Sequence, residues 1–386
     1  MTGFEIKGWC PGALRPMQSG DGLVVRIRPR GGRLSAAQAA GIAGLAERHG
    51  NGRIDLTGRA NLQIRGVHRE SHEPLIAGLS QLGLIDADVA TEVQRNVLVA
   101  PFWSEGDDTH SLAAALEAAL AARPLGLPAK FGFAVDCGAK RVLARASADI
   151  RIERGDAGGL IVRADGAEQG RAVAPREAVN LVLSLATWFV TSGGAEGGRG
   201  RMATHVKRGA RIPDELAGDA RPAPVVSSPR PGLCDGGALV GLAFGQMQSA
   251  TLRFLAACAP GLRLTPWRLI LVEGLQKMPR HDGIVTRADD PVMRVAACTG
   301  APACPEAHAE TRGLAAALAP YLAATSLHVS GCAKGCAHPR PAAITLVGTR
   351  NGFDLVRHGS AQEAPIAKGL DPAEILADPR ALSGIV

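Results

Sequence analysis

Two stretches of this chain repeat one pattern, and that repeat limits the folds available to it. Residues 21–67 read as strand, helix, strand, strand. From Leu23 to Arg28 the side chains alternate, with Leu23, Val25 and Ile27 on one face and Val24, Arg26 and Arg28 on the other. The run SAAQ, from Ser35 to Gln38, has the form of a capping box that opens a helix, which is expected to stop near His49 and Gly50. RIDLT and NLQIRG follow as two strands, with Arg59 in the turn between them. Residues 236–275 carry a second, weaker copy: ALVGLAF matches the first strand, SATLRFLAAC the helix and LRLTPWRLILVEG the hairpin. Thr57 aligns with Thr265. One duplication at so long a period predicts two related half-units, not a solenoid.

The copies differ in charge. Where the first has Arg26 and Arg28 the second has Gly241 and Ala243, and Trp267 replaces Arg59. Arg26, Arg28, Arg59 and Arg65 are therefore expected on one side of the first sheet. Guanidinium forks pair carboxylates or phosphates bidentately, so that side is expected to bind an anion. The net charge is +7, and only seven of the 43 basic residues are Lys. Aromatic residues make up 3% of the chain, with Tyr321 the single Tyr, and no long basic run occurs. A nucleic-acid surface built on stacked bases is thereby disfavoured. The same scarcity suggests that a large ligand would be held by its charged rim and by aliphatic packing. At 386 residues and 46% hydrophobic, the chain reads as two or three globular domains. No apolar run is long enough to span a membrane, and the start, MTGFEIKGWCPG, lacks a secretory pattern, so the cytoplasm is the expected location.

Eight cysteines are present, and four of them crowd together as Cys298-x₅-Cys304 and Cys332-x₃-Cys336. Without a secretory pattern a disulfide framework is not expected. Structural zinc sites use pairs spaced by two to four residues, which the second pair meets and the first does not. Four thiolates also suit a [4Fe–4S] cluster. Gly300, Ala301, Pro302, Ala303, Gly331, Ala333 and Gly335 are small or rigid, which lets backbone wrap closely around a bulky inorganic core. Cys10, Cys137, Cys234 and Cys258 are scattered and read as buried small hydrophobes.

Elsewhere, residues 108–122 and 176–191 read as helices and 130–153 as strands. Residues 193–232, rich in Gly, Arg and Pro, read as a long crossover loop. No phosphate-loop or dinucleotide fingerprint occurs. The last segment, 285–386, carries the four cysteines, a strand beginning at Ala342 and a short helix near 372–376. The expected organisation is a first half-unit at 15–75, a middle lobe at 90–200, a linker at 201–234, a second half-unit at 235–280 and a cluster lobe at 285–386.

The cysteine pattern, the duplication, LTGRANLQIRG, QRNVL at 94–98 and LPAKF at 127–131 together resemble the sulfite and nitrite reductase family. The likeness covers most of the chain. Within it, CPGALRPMQSGDGLVVR from Cys10 and HVSGCAKGCAHP from His328 to Pro339 resemble an oxygen-dependent branch that serves cobalamin biosynthesis. The resemblance implies an α+β fold: two pseudo-twofold ferredoxin-like halves plus α/β cofactor lobes. It implies a [4Fe–4S] cluster on Cys298, Cys304, Cys332 and Cys336, and a tetrapyrrole held by Arg26 or Arg28, Arg59, Arg95 and Lys130. Lys334, inside the second cysteine loop, is expected to contact the substrate or tune the cluster. The reductases carry a second Lys two positions after the first; here the run is Lys130-Phe131-Gly132.

The activity implied is that of a monooxygenase which hydroxylates precorrin-3A at C20 with O₂, while a ring acetate closes to a γ-lactone, giving precorrin-3B. Electrons would come from NAD(P)H through a separate reductase. A mononuclear non-haem iron is also associated with this branch. His308 and His338 are its nearest candidates by chain, with His205 a third. No nucleic acid or membrane partner is expected. The first alternative is a sirohaem-dependent sulfite or nitrite reductase. The second is a non-enzymatic metal-cluster electron carrier.

Overall fold

The computed structural model describes residues 11–322 and 325–383. Cys10 and residues 384–386 of the last segment lie outside them. The duplication is visible in the hydrogen bonding of the two half-units. The helix Ala36–His49 opens on the expected capping box, with the Ser35 side chain accepting from Gln38 N and the Gln38 side chain accepting from Ser35 N. It ends at Gly50, as expected. The helix Ser249–Cys258 is its counterpart. In the first hairpin turn the Thr57 hydroxyl accepts from Arg59 N and Asn61 N. In the second, Thr265 accepts from Trp267 N and donates to Leu269 O. Both turns then place a non-glycine residue in the left-handed region, Ala60 at φ 53° and Arg268 at φ 62°. Such a conformation is uncommon and costs energy, so its recurrence at matched positions is a mark of shared descent rather than chance.

The halves are not separate domains, because each completes the other's sheet. The first sheet runs Met17–Ser19, Gly22–Ile27, Leu62–Val67, Arg53–Leu56 and then Gln246–Gln248, a strand of the second half. The second runs Gly232–Cys234, Gly237–Gly241, Leu269–Glu273, Gly261–Leu264 and then Arg33–Ser35, a strand of the first half. The two helices pack together, and residues of both halves, including Ile27, Ile42, Ile64, Leu252 and Ile270, form one hydrophobic core. Across the join, Glu273 accepts from Arg33 and Arg263, with shortest distances of 2.7 Å to each.

The middle lobe has its own sheet, ordered Arg171–Val173, Leu160–Ala164, Ile150–Arg154, Phe133–Asp136 and Val97–Val99. The helices Asp108–Ala122 and Pro175–Thr191 cover it around Phe131, Phe133 and Phe189. The Gly-rich stretch expected to be an extended crossover differs in structure. It contains the short helices Met202–Lys207 and Asp214–Ala217. Met202 is buried in the middle-lobe core, and Asp149, itself fully buried, accepts from Met202 N and Arg201 Nε. The last sheet, Val295–Ala297, Leu327–Ser330, Ala342–Thr349, Gly352–Gly359 and Ala367–Leu370, carries both cysteine loops at the ends of its parallel strands. No helix among the described residues is long and apolar enough to cross a membrane.

Candidate functional site

The four clustered cysteines come from two loops that follow adjacent parallel strands, Val295–Ala297 and Leu327–Ser330. Chain separation is thereby converted into proximity. The Cys332 thiol is pushed up, first by burial and further by the charges of Cys298 and Cys304, against a lowering hydrogen bond from Lys334 N. Cys336 is pushed up by burial and by Cys298, Cys332 and Cys304, with the Lys334 ammonium opposing. The four sulfurs thus feel one another, and Lys334 stands beside them. Gly331 N donates to Cys298 Sγ at 3.2 Å, a hydrogen bond of the kind that would support a coordinating thiolate.

The loops need their glycines. Gly300 has φ 71°, and a Cβ there would lie 2.7 Å from Thr311 Oγ1. A Cβ on Gly331 would lie 2.6 Å from Ala307 Cβ. A single tetrahedral zinc would draw four sulfurs to about 3.8 Å from one another, given Zn–S bonds of about 2.3 Å. Among the described residues no group of three or more His, Cys, Asp or Glu side chains is gathered so closely around one point. Four thiolates on two adjacent loops, with glycines that let the backbone pass close to its neighbours, match the donor set of a four-iron cluster.

The first half-unit holds the loop in place through one carbonyl. Ala303 O, next to Cys304, accepts from Ser19 Oγ at 2.6 Å, Gly20 N at 3.0 Å and Arg65 Nη2 at 3.3 Å. Arg65 is in turn fixed by Asp21, with contacts of 2.7 and 3.1 Å. A Cβ on Gly20 would collide with Pro302 O, so only glycine permits this approach. Arg65, expected on an anion-binding face, is a fastener for the cysteine loop.

A cleft of about 940 Å³ opens on Cys298 and Cys336. Six arginines line it: Arg26, Arg230, Arg268, Arg294, Arg312 and Arg340. Asp55 is on the same wall, where it accepts from Arg312 at 3.3 Å and from Gln246 at 2.9 Å. With the Gln63 amide oxygen turned towards it, Arg26 donates at 3.0 and 3.3 Å. Phe244, at φ 55°, and Trp267 complete the wall. The scarcity of aromatics suggests a ligand held mainly by its charged rim and by aliphatic packing; these two rings add an aromatic element to the wall, and both come from the copy that lost its arginines.

The expected substrate residues separate into three groups. Arg26 lines the cleft. Arg59 reaches away from the turn and donates to Lys130 O at 2.8 Å, and Lys130 lines a neighbouring cavity. Arg28 and Arg95 lie in the interior, 5% and 3% exposed. Arg28 pairs with Glu92 at 2.9 Å, and burial lowers its pKa to about 10 despite that partner. Arg95 makes a bidentate pair with Asp86, both contacts at 2.8 Å, and donates to Arg28 O. The alternation that grouped Arg28 with Arg26 fails because the strand ends at Ile27. Gly132 is packed too tightly for the second Lys of the reductases: a Cβ there would lie 2.7 Å from Asn96 Nδ2.

His338 lines the cleft, whereas His308 lines a different cavity with Cys332 and Glu306. His205 is bonded to Ser192 in the middle lobe. The three are not brought together, and no three-ligand group for a single ion forms among the described residues. His328, missed in the sequence, packs edge-on to His338 at 5.8 Å between ring centres. It is fully buried with both ring nitrogens unpartnered, and burial lowers its pKa to about 4, so it is neutral at pH 7. Arg230, Arg294, Arg312 and Arg340 were also missed. Their one legible signal was position: Arg294 and Arg340 each lie four residues from one of the four grouped cysteines.

Two exchanged ferredoxin-like halves, an α/β lobe and a cysteine-bearing lobe define the nitrite and sulfite reductase fold. Residues 15–82 match the nitrite/sulfite reductase ferredoxin-like half domain. The solved structure of the Mycobacterium tuberculosis NirA protein superposes with a TM-score of 0.66 over 93% of this chain and 79% of that one, at 16% identity. A ferredoxin–nitrite reductase of Synechococcus elongatus is 32% identical over 135 residues, 32% of this chain and 26% of its own. A precorrin-3B synthase of Sinorhizobium sp. is 34% identical over 94% of this chain and 85% of its own length. The chain belongs to the precorrin-3B synthase family, a branch of oxidoreductases built on the reductase fold.

Proposed function

We propose that this protein is the monooxygenase that converts precorrin-3A to precorrin-3B in aerobic cobalamin biosynthesis. One atom of O₂ becomes the C20 hydroxyl and the other leaves as water. Two electrons and one proton come from NAD(P)H through a separate reductase, the second proton comes from solvent, and a ring acetate closes to the γ-lactone. The observation that carries this reading is the arginine-lined cleft that ends on Cys298 and Cys336. Its volume lies near the upper end of the ~300–1,000 Å³ usual for ligand pockets, which suits a macrocycle.

Precorrin-3A carries an acetate and a propionate on each pyrrole-derived ring. Guanidinium forks at Arg26, Arg230, Arg294, Arg312 and Arg340 would take those carboxylates and fix the orientation of the ring. Phe244 and Trp267 would press on its face and exclude water. Cys298, Cys304, Cys332 and Cys336 would hold the [4Fe–4S] cluster, which supplies single electrons when bound, as O₂ requires for attack on a closed-shell carbon. The reading assigns Lys334 to tuning the cluster charge from beside Cys336. No step is derived through a mononuclear iron, because His308 and His338 face different cavities.

The visible spectrum of anaerobically purified protein separates this reading from the sirohaem alternative. A broad shoulder from the cluster, without a Soret-type band, is expected. An intense Soret band from bound sirohaem would favour a sulfite or nitrite reductase. Zinc in place of iron would remove both.

A further inference from the structure

A second cationic cavity, of about 540 Å³, lies in the middle lobe beside the substrate cleft. It is lined by Lys130, the glycine-rich turn 193–200, and Arg201, His205 and Arg208. The turn is a fixed frame. Gly194 N donates to Phe189 O at 2.8 Å and Gly198 N to Ala195 O at 3.0 Å. A Cβ on Gly194 would strike the Phe189 ring, and one on Gly200 would strike Gly194 O. His205 is held by Ser192 at 2.8 Å and packs against Trp188 and Phe189. Arg201 is anchored to the buried Asp149 at 2.8 Å.

From this frame Arg199 and Arg208 project with no hydrogen bond or ion pair on either side chain among the described residues. Arg28, Arg65, Arg95, Arg151 and Arg263, by contrast, are held in internal ion pairs. Glu196 is the one carboxylate on the lining, and the charge of Asp149 is already answered by Arg201. Consecutive glycines at Gly197 and Gly198, φ 62° and 70°, shape the turn on the cavity lining. The cavity therefore offers guanidinium forks for oxyanions. It offers no aromatic slot for a nucleoside base, since Trp188 and Phe189 are covered by His205.

Its position decides which oxyanion it receives. Thr57 and Gly58 line the substrate cleft, and Arg59, the next residue, donates to Lys130 O in the second cavity. Arg59 thus links the rim of the cleft to the rim of the second cavity. We propose that this pocket is a carboxylate subsite for the acetate arms of the tetrapyrrole that overhang the main cleft, held chiefly by Arg199 and Arg208. The proposal rests on the tetrapyrrole reading above and adds to it the element that counts carboxylates.

The test uses two stable porphyrins as probes, with binding followed by fluorescence quenching. Uroporphyrin III carries an acetate and a propionate on every ring; coproporphyrin III has methyl groups in place of the acetates. The wild-type chain should bind uroporphyrin about 10-fold or more tightly than coproporphyrin, the effect of one or two charge-assisted hydrogen bonds. The double substitution Arg199→Ala/Arg208→Ala should erase most of that preference and leave coproporphyrin affinity unchanged. Arg199→Lys/Arg208→Lys, which keeps the charge, should restore part of it and serves as the folding control. If the double variant keeps the full preference, or weakens both probes alike, the subsite is refuted while the cleft stands. If neither porphyrin binds the wild-type chain, the tetrapyrrole reading itself fails. If NADPH binds the wild-type chain and the double variant loses that binding with its porphyrin preference intact, the pocket takes phosphate and the carboxylate assignment is overturned.

Discussion

Replacement of Cys298 by Ala is expected to remove the iron–sulfur centre and to lower turnover by more than about 100-fold, since loss even of an outer-shell partner costs roughly 10–100-fold at metal sites. Cys298 is the sharpest position for this test. Its sulfur accepts the Gly331 N–H at 3.2 Å, so it belongs at once to both cysteine loops. It also borders the cleft, where the chemistry is proposed to occur. Without it one corner of the four-thiolate set has no ligand, and the remaining three belong to loops no longer tied at that point. Iron and acid-labile sulfide should fall together, and the visible shoulder should disappear, while circular dichroism of the sheets persists. Retention of the full iron content by the variant would show that Cys298 is not a ligand.

The second large effect is expected at Arg65, far from those cysteines in sequence. Its guanidinium joins Asp21 to Ala303 O and so fastens the Cys304 loop to the first half-unit. Arg65→Ala leaves Asp21 without its cation, and breaking a buried pair in this way costs about 3–5 kcal/mol. Arg65 is 7% and Asp21 15% exposed at the side chain, so the lower end of that range applies. The cluster should bleach about 10-fold faster in the presence of a chelator, in line with the effect of other outer-shell contacts. Arg65→Lys should recover little, because a single ammonium cannot reach Asp21 and Ala303 O in the same geometry. Equal bleaching rates for all three proteins would limit Arg65 to its pairing with Asp21 and remove its role at the cysteine loop.

The duplication could be read from the chain because it rests on local signals. Ser35 and Gln38 cap their helix within one turn, and Thr57 and Thr265 organise their hairpins within four residues. The exchange of Arg33–Ser35 and Gln246–Gln248 between sheets could not be read, because short edge strands carry no signature of their distant partner. The same limit applies to charge. In an alternating stretch an arginine looks alike whether it lines a cleft, as Arg26 does, or meets a buried carboxylate many residues away, as Arg28 does with Glu92. The cysteines were legible because their spacing and glycine content restrict the chemistry. The cleft's other arginines were not, because Arg230 and Arg340 sit in loops without periodicity.

The central claim, that oxygen from O₂ is placed on a tetrapyrrole held in this cleft, is tested most directly by isotope labelling. Purified, reconstituted protein would be given precorrin-3A, a reducing system and ¹⁸O₂, and the product analysed by mass spectrometry. One labelled oxygen atom is expected in the product, at the C20 hydroxyl, with the lactone oxygens unlabelled. Product oxygen drawn from water, or no product from precorrin-3A together with reduction of sulfite or nitrite, would contradict it.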